Sequence, residues 1–349
     1  MAFLSEADLE SLKIEQSVFH IVGPGEQHFQ LLAAFDAGRH APFFLGRVKS
    51  VNGGNRYEFL EDAPVRAQLV RISRDKSTFQ EESEKLATAF NKAHGGSTAV
   101  GAFLIFVLSC KSGRAFALLK FEDEKVLSYN YEVARGRPGK PKPTFGEIDR
   151  TFVQNRNALQ KAALIRLGKE GDDICVVDRQ NPQRPAAYFE QFLLARRQRT
   201  EEELTKTIVD VTRNVAQKHK ASLPAEAMKN LAQRLYDASQ SGGSVDGENA
   251  ENWLTSIFGP LPDDSPVLKD FKAGLKREGM AGESFVLKKD AIPAPKNRRV
   301  ETASGVKVIF PVGLQASVIS VDRAKGEIII RDQITLDDFE LSTSRRTRS

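Results

Sequence analysis

The segment Arg135-Gly136-Arg137-Pro138 has residue types that point to a definite chemistry. An extended Arg-Gly-Arg-Pro stretch fits a narrow minor groove, because glycine has no side chain to meet the groove walls. Its flanking guanidinium groups then lie along a floor where A·T tracts concentrate negative potential. Lys140 and Lys142 follow and can neutralise phosphates, each adding about one unit to the salt dependence of binding. A solvated basic linker accounts for the same residues, so both readings stand at this level. Three further clusters supply candidate phosphate contacts: Arg196, Arg197 and Arg199; Lys288 and Lys289; and Arg298 and Arg299, beside Lys296. Arg345, Arg346 and Arg348 extend the basic character into the tail. Aromatic residues are not interleaved with these clusters, which argues against a platform for stacking single strands. Double-stranded DNA is therefore the expected polyanion.

Catalytic patterns are sparse. The chain has no GxxxxGK[ST], no GxGxxG after a strand, no GxSxG elbow and no HExxH. Gly23-Pro24-Gly25 reads as a turn. Glu122-Asp123-Glu124-Lys125 supplies the carboxylates and lysine of a Mg²⁺-dependent nuclease, with Glu122, Asp123 and Lys125 as the candidate site. A solvated hairpin turn explains the same run, and no other acid is clearly placed to complete the site. The histidines, His20, His28, His40, His94 and His219, show no metal-binding spacing, and His20 reads as a structural residue. Cys110 and Cys175 form no CxxC pair and read as buried apolar residues. The expectation is a non-enzyme with no catalytic residues, no cofactor and no metal.

The elements that must carry the basic clusters fall into zones. Up to about residue 133, Phe43–Val51 and Arg56–Leu60 read as a strand pair around Asn52-Gly53-Gly54-Asn55. Residues 78–93 read as a helix, with Thr78 and Glu81 as its start signal. Thr98–Cys110, Arg114–Phe121 and Val126–Val133 read as an antiparallel meander. Residues 134–148 read as a basic Pro/Gly-rich linker or loop, since its prolines forbid a helix or a central strand. From 149 to 341 a helical region leads into a β-rich portion. Leu159, Ala162, Ala163 and Leu167 share a helical face, and Phe189, Phe192 and Leu193 another. Arg196–Arg199 ends that helical segment, just before the capping box Thr200-Glu-Glu-Glu203. Leu204, Ile208, Val211 and Val215 then mark a helix, followed by faces at Met228/Leu231/Leu235, Trp253/Ile257/Phe258 and Leu268/Phe271/Leu275. Ser239–Asn249 reads as a flexible loop. Ser284–Leu287, Val306–Phe310, Ala316–Val321 and Glu327–Arg331 read as strands, with a turn at 322–326. Residues 342–349 read as a frayed basic tail. The fold class is α+β: an N-terminal α+β domain (1–133) and a C-terminal helical plus β-rich domain (149–341).

The chain has 349 residues, of which 40% are hydrophobic and 28% charged, which suits a folded chain of about two domains. Its 51 Lys and Arg against 46 Asp and Glu leave a net charge of +5, a mild excess that matters only where it is concentrated. No apolar run approaches the ~18 residues of a membrane span, and the N-terminus lacks a signal-peptide pattern, so the expected compartment is the cytosol.

The order of several segments resembles the bacterial 37-kDa nucleoid-associated protein family. The similar stretches are Phe79-Gln-Glu-Glu-Ser83 with Leu86-Ala87, Gly101-Ala-Phe-Leu-Ile-Phe106 and Asn157-Ala-Leu-Gln-Lys-Ala-Ala-Leu-Ile-Arg166. Tyr188-Phe189 with Phe192-Leu193, Glu283-Ser-Phe285, Gly305-Val-Lys-Val-Ile-Phe310 and Gly326-Glu-Ile-Ile-Ile330 complete the order, which covers roughly residues 15–335. The resemblance implies a cytoplasmic, DNA-associated, non-enzymatic protein of the nucleoid that organises the chromosome, and it is consistent with a homodimer. It supplies no catalytic residues, and it leaves a chromosomal, phage, plasmid or defence-locus origin open. The Arg135–Pro138 segment matches no motif of that family and rests on the groove argument alone. The alternatives are the Mg²⁺-dependent nuclease and an adaptor that binds a DNA-processing or defence protein through its helical region.

Overall fold

The computed structural model describes residues 3–94, 99–122, 124–131, 143–152, 159–168, 171–322 and 324–336. In chain order the elements are α1 (Glu6–Ser11), β1 (Lys13–Val22), α2 (Ala41–Lys49), β2 (Asn55–Phe59), α3 (Pro64–Arg74), α4 (Phe79–His94), β3 (Gly101–Cys110), β4 (Gly113–Glu122), β5 (Glu124–Tyr131) and β6 (Pro143–Thr151). They continue with β7 (Leu159–Arg166), β8 (Asp173–Asp178), α5 (Ala187–Leu193), β9 (Ala195–Arg197), α6 (Glu201–Lys218), α7 (Ala225–Lys229), α8 (Leu231–Gln240), β10 (Ser244–Val245), α9 (Glu251–Phe258), α10 (Pro266–Arg277) and β11 (Phe285–Val286). The last are β12 (Asn297–Glu301), β13 (Lys307–Pro311), β14 (Ile319–Asp322) and β15 (Glu327–Ile330). Two compact units result, Met1–Ile292 and Pro293–Ser349. The chain is α+β.

The first unit is built on a seven-stranded sheet of order β1-β3-β4-β7-β8-β2-β9, antiparallel at every pairing. Its central strands are covered on both faces, so they are apolar at nearly every position rather than alternating. On β3, Phe103, Ile105 and Val107 face a core shared with α3, α4 and α5, while Leu104, Phe106 and Leu108 face Phe44 and Val48 of α2. The stacked pair Phe90–Phe103, with centroids 4.3 Å apart, fixes α4 on the sheet.

Double coverage explains where the local reading went astray. Leu159–Arg166 is the central strand β7, not a helix, because pairing with β4 and β8 overrides the helical look of its Ala and Leu residues. Residues 43–49 belong to helix α2 rather than to a strand. Pro42 sits in its first turn, and Phe44, Arg47 and Val48 are buried at helical spacing. The expected third strand of the meander, β5, pairs with β6 in a separate two-stranded sheet, with Tyr131 opposite Pro143. Strands from both sides of 134–148 enter the seven-stranded sheet, so that segment does not separate two cores. The compact division instead follows Ile292.

Helices α6 to α10 form a second core within the same unit. The Thr200/Glu203 capping box starts α6, each residue's side chain bonding to the other's backbone N–H. Trp253 Nε1 donates to Thr212 Oγ1 at 2.8 Å inside that core. A Cβ on Gly274 of α10 would stand 2.7 Å from Val211 Cγ1, so glycine is what allows α6 and α10 to approach. The expected face Met228/Leu231/Leu235 is divided between α7 and α8, which break at Asn230. The expected loop at 239–249 contains the end of α8 and the short strand β10.

The second unit, by itself, holds two hairpins, β12–β13 and β14–β15. Among its described residues, Phe310 and Ile319 are the buried hydrophobic side chains.

Candidate nucleic-acid interface

Strand β9 sets the geometry of the Arg196 cluster, which therefore does not end a helix. Strand alternation sends adjacent side chains to opposite faces. Arg196 points to solvent, paired with Glu58 across the β2–β9 ladder at 2.7 Å. Arg197 turns inward. Its Nη2 donates to Glu283 Oε2 at 2.6 Å, to the Ser284 carbonyl at 2.8 Å and to Asn55 Oδ1 at 3.1 Å, and its Nη1 donates to the Gln183 carbonyl at 3.2 Å. The Glu283 side chain is 1% exposed and that of Arg197 16%. Arg197 is thus a connector between sheet and helical core, which removes it from the candidate phosphate contacts. Reading 195–197 as a strand would have placed the adjacent arginines on opposite faces, while the buried Glu283 that Arg197 meets is supplied by tertiary contact.

The same contacts tether the next cluster. The chain at 283–288 is bonded at Ser284 to Arg197, and at Lys288 its N–H donates to Thr205 Oγ1 of α6 at 3.0 Å. Lys288 and Lys289 are exposed, and Arg199 is half-buried beside Arg56, Asp173 and Gln198. Among the described residues, Arg199, Lys288 and Lys289 form no ion pair, so their charges remain available to an anion. The junction is tight: a Cβ on Gly282, whose φ is +85°, would lie 2.6 Å from the Cα of Gly53.

In the second unit, β12 presents Arg298 and Arg299 to opposite sides of its hairpin. Arg298 is half-buried opposite Phe310, and Arg299 is exposed opposite Ile309 and paired with Glu301 at 2.8 Å. Arg135, Arg137, Lys140 and Lys142 lie outside the described residues. Their segment joins β5 to β6, whose facing ends are Tyr131 and Pro143.

The nuclease candidates are Glu122, Asp123 and Lys125. Asp123 lies outside the described residues, as do the side chains of Glu122 and Lys125. Among the described residues no group of three His, Cys, Asp or Glu side chains could hold a metal ion.

A buried polar row that the sequence did not reveal crosses the sheet. Cross-strand register aligns His20, Phe103, Lys120, Lys161 and Asp178 on β1, β3, β4, β7 and β8. Lys161 Nζ stands 3.2 Å from Asp178 Oδ2 and 3.2 Å from Gln180 Oε1, and it lies over the Tyr188 ring at 5.5 Å. Asp178 also accepts from the backbone N–H groups of Gln180, Asn181 and Ala186, and Lys120 donates to the carbonyls of Ala99 and Phe121. These bonds satisfy the charges internally, as buried charges require. His20 Nδ1 accepts from Leu32 N–H, so Nε2 carries the proton toward Ser83 Oγ at 3.2 Å. Burial pushes the His20 pKa down to about 4, and the ring is neutral at pH 7. The row is structural.

A cleft between β1 and residues 34–45 is lined by Ile14, Phe35 and Leu45, with Lys13, Glu15 and Asp36 at its margin. Its one hydroxyl, on Ser17, donates to the Phe35 carbonyl and faces no base.

Comparison with curated proteins finds no match to the chain. Residues 44–336 match the family NA37, described as nucleoid-associated protein YejK, and so take in every strand of the seven-stranded sheet except β1, the helical core and both terminal hairpins. The chain belongs to this family of nucleoid-associated proteins.

Proposed function

We propose that the chain binds double-stranded DNA largely independently of sequence, through phosphate contacts and without catalysis. The observation that carries this reading is the family match over residues 44–336. Membership implies a bacterial, cytoplasmic protein of the nucleoid, and the family is not an enzyme family. Among the described residues no helix is long and apolar enough to cross a membrane.

The contacts we propose are Arg199, Lys288, Lys289 and Arg298, together with Arg196 and Arg299. The last two hold only exposed ion pairs, worth at most about 1 kcal/mol each, and can exchange a carboxylate for a phosphate. Arg135 and Arg137 would enter the minor groove, with Lys140 and Lys142 on the flanking phosphates. The paired flanks of 132–142 support this, because a segment fixed at both ends loses less freedom on binding than a free tail.

The test is binding of A·T-rich and G·C-rich duplexes across a salt series, with and without Mg²⁺, followed by a gel of the recovered DNA. The six contacts of the folded surface alone would lower affinity roughly 10³-fold between 50 and 200 mM salt, and Lys140 and Lys142 would take the loss to roughly 10⁴-fold. Intact DNA with that dependence supports the proposal. Cut DNA in Mg²⁺ would establish a nuclease. Weak binding even at low salt would favour an adaptor that works through a DNA-processing protein.

A further inference from the structure

Eight of the eleven large apolar side chains exposed among the described residues lie between Val306 and Leu336. Isolated two-stranded hairpins are marginal in water, so a surface of this kind calls for a covering partner.

Strand β15 shows what kind of partner fits. It reads Glu327-Ile-Ile-Ile330 and is followed by Arg331, with Ile329 and Ile330 exposed by 40% and 55%. It pairs with β14 on one side, and among the described residues no strand covers the other. No proline, lysine or bulge interrupts residues 327–331, although these are the usual devices that protect a sheet edge. Arg331 N–H donates to the Val318 carbonyl at 2.9 Å. Antiparallel alternation then turns the backbone groups of Ile329 toward β14 and those of Ile328 and Ile330 toward the open edge.

We propose that β15 pairs antiparallel with β15 of a second copy of this chain, about a two-fold axis at Ile329. The register follows from both the backbone and the charges. Residues whose N–H and C=O groups face outward must oppose one another, which sets Ile328 against Ile330 of the second copy. The same register sets Glu327 against Arg331 of the second copy, twice, at the closer non-hydrogen-bonded positions. The segment is therefore complementary to itself in charge, as a two-fold interface requires. The result is a four-stranded antiparallel sheet in place of two exposed hairpins. This interface involves no DNA, so it stands or falls separately from the DNA-binding reading.

Sedimentation of the full-length protein over a dilution series tests it, together with cysteine cross-linking in a Cys110→Ser background. Opposed non-hydrogen-bonded residues have Cα atoms about 4.5 Å apart, within disulfide range. Ile329→Cys should give a disulfide-linked dimer on mild oxidation. Ile328→Cys should not, because its own counterpart lies diagonally, about 7–8 Å away. Arg331→Glu should raise the dimer dissociation constant at least about tenfold by opposing two glutamates twice, and adding Glu327→Arg should restore it. A wild-type chain that stays monomeric at its highest soluble concentration would overturn the proposal. So would equal cross-linking at both cysteines, or a dimer indifferent to Arg331→Glu.

Discussion

Replacing Arg197 by alanine separates the connector role from a DNA contact. The side chain holds four acceptors, and the shortest bond, 2.6 Å, ends on Glu283, whose side chain is 1% exposed. After truncation Glu283 keeps the backbone N–H of Arg56 at 3.3 Å, and no cation replaces the guanidinium at its Oε2. Breaking a buried pair by removing one partner costs about 3–5 kcal/mol, because the remaining charge is left uncompensated. The expected outcome for Arg197→Ala is a destabilisation of that size, read as a lower urea midpoint at unchanged slope. Adding Glu283→Gln removes the stranded charge, so the double variant should lose clearly less than the two single losses together. DNA affinity, measured where Arg197→Ala is still folded, should stay close to that of the wild type. A stability within about 1 kcal/mol of wild type, combined with a drop in DNA affinity, would refute the connector assignment.

Other expectations follow from the same geometry. Lys288→Ala and Lys289→Ala should each reduce the salt slope of DNA binding by about one unit, and each should leave stability within about 0.5 kcal/mol. A slope that does not move removes that lysine from the interface. Arg137→Ala should weaken binding most on A·T-rich duplex; an equal loss on every sequence would make it a phosphate contact only. His20 titrates at about 4 when folded, against about 6.5 in the unfolded chain, which therefore binds more protons between those values. Stability should fall by up to about 3 kcal/mol as the pH drops through that window, and His20→Gln should flatten the profile. Burial pushes the Cys175 thiol up to about 12, so a thiol reagent at pH 8 should label half-buried Cys110 and spare Cys175 until the protein unfolds.

Local signals in the sequence were reliable where local forces decide the structure. The Thr200/Glu203 box and the spacing of Leu204, Ile208, Val211 and Val215 announce α6, because capping and one buried stripe are both encoded within a few residues. The β3–β4 hairpin was equally legible from two apolar runs around Lys111-Ser112-Gly113. β7 was not, since burial on both faces erases the period-two signature and leaves a Leu/Ala-rich run that resembles a helix. The candidate site divides the same way. That Arg196 and Arg197 are basic is plain from the sequence. That one faces Glu58 at the surface and the other a buried Glu283, 86 positions along the chain, is set by strand alternation and tertiary contact. The buried row from His20 to Asp178 depends on the register of five strands and has no local signature.

A count of basic residues overstates the electrostatic footprint, because many of the cations are engaged internally. Lys161 is committed to Asp178 and Arg197 to Glu283, in contacts with buried carboxylates that DNA cannot displace without opening the structure, and Arg56 is held by Asp173 at 2.8 Å. Among the candidates in the described residues, Arg199, Lys288, Lys289 and Arg298 carry charge that no carboxylate holds, and Arg196 and Arg299 can be recruited at small cost. Six contacts at about 0.9 each cap the salt slope of one chain near 5. A steeper slope per chain therefore demands cations beyond these six. Lys296 beside Arg298 is one such supply, and the segment carrying Arg135, Arg137, Lys140 and Lys142, which joins β5 to β6 where Tyr131 meets Pro143, is another. The slope of the wild type, set against that of a variant with these four residues neutralised, thus apportions binding between the folded surface and the basic segment. A slope near 5 that the four neutralisations leave unchanged would assign the binding to the folded surface alone.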